Sequence, residues 1–243
     1  MSISARLTDI RERMAFAARS AGRDPASVRL VAVSKNFPID AVFEAIAAGQ
    51  RDFGENRVQE GLQKIAALRQ QPPLQENPQT TDLLIRWHLL GHLQTNKARK
   101  AVPAFAVIQS VDSVDLLERI DRAAAESGQS PELLIQVDLA GEATKFGAAP
   151  AQVPQLLEAA GALRAARVAG LMTLPPVPET PEDARPYFRR LRDLRDGWLA
   201  SGVPAPMLRE LSMGMSGDFE VAIQEGATMV RVGTAIFGTR TTT

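Results

Sequence analysis

Apolar positions along the chain fall into two alternating patterns: short runs of consecutive aliphatic residues, and longer stretches in which apolar residues recur every three or four positions. The first reads as strand buried on both faces, the second as amphipathic helix. Ile3, Leu7, Ile10, Met14 and Ala17 or Ala18 keep helical spacing, and Gly22 is placed to stop that helix. Leu30 to Val33 then forms a buried strand with Lys35 at its exit. Pro38 opens a helix that carries Ile39, Val42, Phe43 and Ile46 on one face. The alternation continues, with strands expected at 51–53, 86–91, 106–111, 133–139, 168–174, 208–213 and 228–232. Helices are expected at 58–69, 96–101, 114–125, 153–163, 184–200 and 219–225. The Gln- and Pro-rich stretch 70–82 and the Pro-rich stretch 175–181 read as loops.

Eight strands, each followed by a helical stretch and preceded by one extra helix, predict an α/β fold: a single (β/α)8 TIM barrel with an additional N-terminal helix, taking up residues 1–243 as one domain. Right-handed crossovers repeated this often usually close, and 243 residues suit such a barrel. An open doubly wound sheet is the alternative.

Composition narrows the function classes. Lys plus Arg and Asp plus Glu both number 28, so no net field draws nucleic acid or an acidic membrane surface. The absence of cysteine excludes disulfides, thiolate catalysis and cysteine-ligated metal. Charges interrupt the N-terminal stretch too often for a signal peptide, and no run approaches the roughly 20 apolar residues of a membrane span. A cytoplasmic protein is expected.

Only five of the 28 basic residues are lysines, so one at a strand exit calls for explanation. Arginine could not replace it in imine chemistry, because guanidinium stays protonated whereas a lysine amine can be neutralised. The competing reading is a strand-end lysine in solvent. In a barrel, polar residues at strand exits converge on one mouth: Lys35, Asn56, His88, Ser110, Asp138, Thr173, Ser212, Ser216, Arg231, Gly233 and Thr234. Loops after strands seven and eight, here Ser212 to Gly217 and Gly233-Thr234, are the usual phosphate site of this architecture, although Gly is also an ordinary turn residue. Alternation places Arg231 inward, facing either a carboxylate such as Asp138 or a ligand ring nitrogen.

An inward lysine, an inward arginine and a phosphate cradle together fit pyridoxal 5′-phosphate (PLP). The motifs Val31-Ala32-Val33-Ser34-Lys35, Phe53-Gly54-Glu55-Asn56-Arg57-Val58-Gln59-Glu60, Trp87 to Lys97, Gly170-Leu171-Met172-Thr173, Leu211 to Ser216 and Arg231 to Gly238 add to this. In that order they resemble the pyridoxal phosphate homeostasis proteins, single-barrel relatives of the N-terminal domain of alanine racemase. The resemblance implies a Schiff base at Lys35, Arg231 at the pyridine nitrogen, and phosphate contacts from Ser216, Gly233 and Thr234. It also places Asn56 beside the cofactor and makes Ser212 a further candidate for the cradle. Arg57 stands where that family would have tyrosine. The implied role is to bind and buffer PLP or deliver it without efficient catalysis, with PLP-dependent apoenzymes or amino acids as partners, no nucleic acid or membrane, and a monomer expected.

The alternative within this chemistry is an amino-acid racemase of the alanine racemase type. It needs a second acid/base, usually tyrosine, and the sole tyrosine, Tyr187, falls on the long helix after strand six. An imine-forming aldolase would leave Arg231 unexplained. A metal site at His88 and His92 lacks a third ligand, so no metal residue is assigned.

Overall fold

The computed structural model describes residues 1–70, 85–141 and 146–239. The Gln- and Pro-rich loop beyond Gln70, and Thr144 and Lys145, lie outside these residues. Eight parallel strands follow one another in chain order around a closed barrel. They are β1 (Arg29–Val33), β2 (Asp52–Glu55), β3 (Arg86–Leu89), β4 (Val107–Val111), β5 (Glu132–Gln136), β6 (Arg167–Met172), β7 (Glu210–Ser212) and β8 (Met229–Val232), with β8 pairing back to β1. The α-helices are α1 (Ile3–Ser20), α2 (Ile39–Ala47), α3 (Val58–Arg69), α4 (Ala98–Ala101), α5 (Val114–Ser127), α6 (Val153–Ala160), α7 (Arg185–Ala200), α8 (Phe219–Gln224) and α9 (Thr234–Phe237). This is the expected (β/α)8 barrel with its extra N-terminal helix.

The Ser2 side chain caps α1 by accepting from the Ala5 amide, and the helix buries the expected stripe from Ile3 to Ala18 against α2, α8 and α9. Gly22, at φ 68°, follows its last turn. Strand five is shorter than its apolar run. Val137 makes only an isolated bridge to Ala148, and the Asp138 carboxylate turns the chain by accepting the Ala140 and Gly141 amides at 3.0 Å each. Gly91, just past β3, allows a close approach: a β-carbon there would lie 2.1 Å from the Asn56 carbonyl oxygen, so any side chain would push apart the exits of β2 and β3.

Most of the core lies between barrel and helices. Inside the barrel, Val107, Leu134, Ala169 and Met172 fill one side. The other carries His88, Gln109, Ser212 and Arg231, which bond one another, as burial demands. His88 is among them, which overturns its expected place at the mouth. As the third residue of β3 it points into the barrel, fully buried, with Nε2 2.9 Å from Asp52 Oδ1 and Nδ1 3.0 Å from Gln109 Nε2. Leu90, two residues on, is what β3 sends towards the mouth.

Candidate functional site

A cavity of about 460 Å³ opens at the carboxyl ends of the strands, and Lys35, Asn56, Ser216, Arg231, Gly233 and Thr234 all line it. Lys35 reaches the wall because β1 is followed by a sharp turn: the Ser34 amide still bonds the Gly54 carbonyl at 3.0 Å, and the Phe37 amide bonds the Ser34 carbonyl at 3.0 Å. Between them Asn36 takes φ 63°, and among the described residues no other non-glycine residue has positive φ.

Arg231 forms the floor. Its guanidinium is buried and held from below, one terminal nitrogen donating to Ser212 Oγ at 2.6 Å and the other to the Thr173 carbonyl at 2.8 Å. The carboxylate weighed as its partner, Asp138, is occupied by its own turn, and the negative charge acting on Arg231 is that of Asp218. Burial pushes the Arg231 pKa down to about 10 against the pull of Asp218, so it remains a cation at neutral pH. A guanidinium has five N–H donors, and two such bonds leave others for the pocket.

Across the mouth, Ser216 Oγ accepts from the Gly233 amide at 3.2 Å and the Ala235 amide at 3.4 Å, gathering a hydroxyl and two amides at one point. Asp218 shapes this loop by accepting the Met215 amide at 2.5 Å, and burial raises its carboxyl above the usual range. Sequence reading missed Asp218. The available signal was its place immediately before α8, where a carboxylate can order a helix entry. The expected loop 175–181 also builds the site: Val177, Pro178 and Pro181, with Leu174, form one wall of the pocket.

The remaining candidates do not line the cavity. Ser212 is fully buried beneath Arg231 and donates to Gln109 Oε1 at 2.6 Å; Thr173 Oγ donates to the Val137 carbonyl, and Ser110 Oγ to the Gly91 carbonyl. His92 does not converge with His88 but stacks on Phe146 with ring centroids 3.7 Å apart. Arg57, the departure at the rim, is exposed ahead of α3.

Because Gln109 Oε1 accepts from Ser212, its amide nitrogen faces His88, whose Nδ1 must accept while Nε2–H donates to Asp52. Burial lowers the His88 pKa despite Asp52, keeping the ring neutral. Below the ordinary histidine value of about 6.5 the unfolded chain therefore binds a proton that the native chain refuses. The stabilisation from His88 is complete above that value and is lost as pH falls below it. Urea unfolding should become easier between about pH 7 and 5, and His88→Gln should flatten that part of the profile. An unchanged slope in the variant would mean that the native ring takes up its proton over the same pH range as the unfolded one.

A primary amine, a buried cationic donor and a hydroxyl–amide cluster facing one cavity suit a planar anionic ligand that carries an electrophilic carbon. The model of the alanine racemase N-terminal domain matches residues 6–241. The pyridoxal phosphate homeostasis protein of Aquifex aeolicus is 42% identical over 240 residues, covering 99% of both chains. That of Pseudomonas aeruginosa is 41% identical over 98% of this chain and 96% of its own. The structure of PipY from Synechococcus elongatus with PLP bound superposes with a TM-score of 0.79 at 43% identity, covering 98% of this chain and all of that one. Among the described residues no helix is long and apolar enough to cross a membrane.

Proposed function

This chain belongs to the pyridoxal phosphate homeostasis proteins, within the alanine racemase N-terminal domain family, and from that premise we propose that it binds PLP through Lys35 and buffers or delivers it without efficient turnover. One observation carries the reading: Lys35 after β1 and Arg231 with the Ser216, Gly233 and Thr234 cluster after β7 and β8 line the same cavity.

The residues fit the cofactor group by group. Gly233 suits the cluster because a β-carbon there would press on the Val33 carbonyl oxygen at 3.2 Å and narrow the space beside Lys35. Ser216 Oγ and the Gly233 and Ala235 amides would hold the phosphate by hydrogen bonds that its charge strengthens. Arg231 would donate to the ring nitrogen, and Asn56 would flank the ring. Ser212 would act through Arg231, since it supports the guanidinium from below. When bound, the cofactor supplies an aldehyde that condenses with a primary amine, and Lys35 is the amine this wall offers.

The same groups favour holding over turnover. A guanidinium cation at the ring nitrogen leaves that nitrogen unprotonated and weakens the ring as an electron sink. Two-base racemisation needs an acid/base on each face, and Tyr187 lies on α7, packed against the outer core. Among the described residues, no tyrosine lines the pocket.

Titrating protein freed of bound aldehyde with PLP should produce a saturable long-wavelength band that borohydride removes. A spectrum equal to the sum of free protein and free PLP would sink the assignment.

A further inference from the structure

Lys64 is a buried cation that the proposed site does not use. It sits on the inner face of α3 with Gly61, Ile65 and Leu68, and its ammonium group makes three bonds: to the Ser34 carbonyl at 2.7 Å, Glu55 Oε1 at 2.7 Å and Glu60 Oε1 at 2.8 Å. Each carboxylate carries the contact onward. Glu55 Oε1 accepts the Ser34 hydroxyl at 2.6 Å, and Glu60 Oε1 accepts the Asn36 amide at 2.5 Å. The trio therefore grips the residue before Lys35 by its carbonyl and hydroxyl, and the residue after it by its amide, in the left-handed conformation at Asn36.

Resting on the PLP reading above, we propose that Lys64, with Glu55 and Glu60, is a positioning residue that sets the direction of the Lys35 amine. Anchoring α3 alone does not account for it. Apolar residues of similar volume would hold a helix against a barrel at least as well as a buried ion pair, but could not bind the Ser34 carbonyl and the Asn36 amide together. Asparagine tolerates a left-handed φ better than most residues, and the bonds to the Ser34 carbonyl and the Asn36 amide hold it there. The step served is condensation: the neutral Lys35 nitrogen forms a C=N bond with the aldehyde carbon, and the aldehyde oxygen leaves as water with the two amine protons. That bond needs the amine aimed at one carbon, whereas contacts to phosphate and ring do not involve it.

The test compares PLP with pyridoxine 5′-phosphate, which has the same ring and phosphate but an alcohol in place of the aldehyde. In Lys64→Met/Glu55→Gln, which removes the cation without stranding a buried carboxylate, the rate of covalent attachment followed by absorbance should fall by about 10²-fold. Affinity for pyridoxine 5′-phosphate should stay within about twofold of the parent. Should the double variant fail to fold, Glu60→Met, at a partly exposed position, frees the Asn36 amide and removes one of the three Lys64 bonds, and should lose attachment rate in the same selective way. Glu60→Gln, which keeps an acceptor, should restore it. Equal losses for both ligands, or an unchanged attachment rate, would overturn the positioning role while leaving PLP binding intact. A parent protein that binds neither ligand would overturn the cofactor reading itself, and this proposal with it.

Discussion

Lys35→Ala is expected to abolish the covalent adduct trapped by borohydride while leaving the barrel folded. In the parent protein, reduction in the presence of PLP should place the pyridoxyl group on Lys35, read by peptide mapping. The fold should survive because the turn that presents Lys35 is held through its neighbours: the Ser34 amide, carbonyl and hydroxyl and the Asn36 amide are all engaged, and none of these bonds uses the Lys35 side chain. The stability cost should be about 1 kcal/mol or less, as for a partly exposed side chain outside the core. Phosphate and ring contacts should persist, so PLP should still bind reversibly without the shifted band. An adduct on Lys97 or Lys145 would defeat the assignment, and unfolding of Lys35→Ala would make the lysine structural.

The second large effect concerns the phosphate. Pyridoxal, which lacks it, should bind far more weakly than PLP, because the Ser216 hydroxyl and the Gly233 and Ala235 amides gather at the one point proposed for the phosphate. Hydrogen bonds to a charged group contribute about 1.5 to 3 kcal/mol each, so two amides give an upper bound of about 3 to 6 kcal/mol. That corresponds to about 10² to 10⁴ in affinity. The realised value should fall towards the lower end, because phosphate must displace the bonds that Ser216 already makes to both amides. Titration of both ligands on the same preparation decides the matter, and equal affinities would remove the phosphate from the cradle.

The architecture was legible in the sequence because a closed parallel barrel writes itself as repeated local signals. Strands such as β1, β5 and β6 are buried on both faces and read as aliphatic runs, and the longer helices show one apolar stripe, so Leu30 to Val33 or the face of α1 needs no distant partner to be recognised. The cavity-lining residues were legible for a related reason: the fold collects strand exits at one mouth, so order along the chain nearly determines who meets there. The depth of a polar residue within the barrel was not written locally. His88, Ser212 and Thr173 have the same alternation as residues that reach the cavity, yet strand register and length sink them below it, where they support Arg231 or pair with Asp52. Charge partners were equally hidden. Arg231 meets Ser212 and a carbonyl with Asp218 nearby, and Lys64 meets Ser34, because those contacts join separate strands, loops and a helix whose approach the closed barrel alone decides.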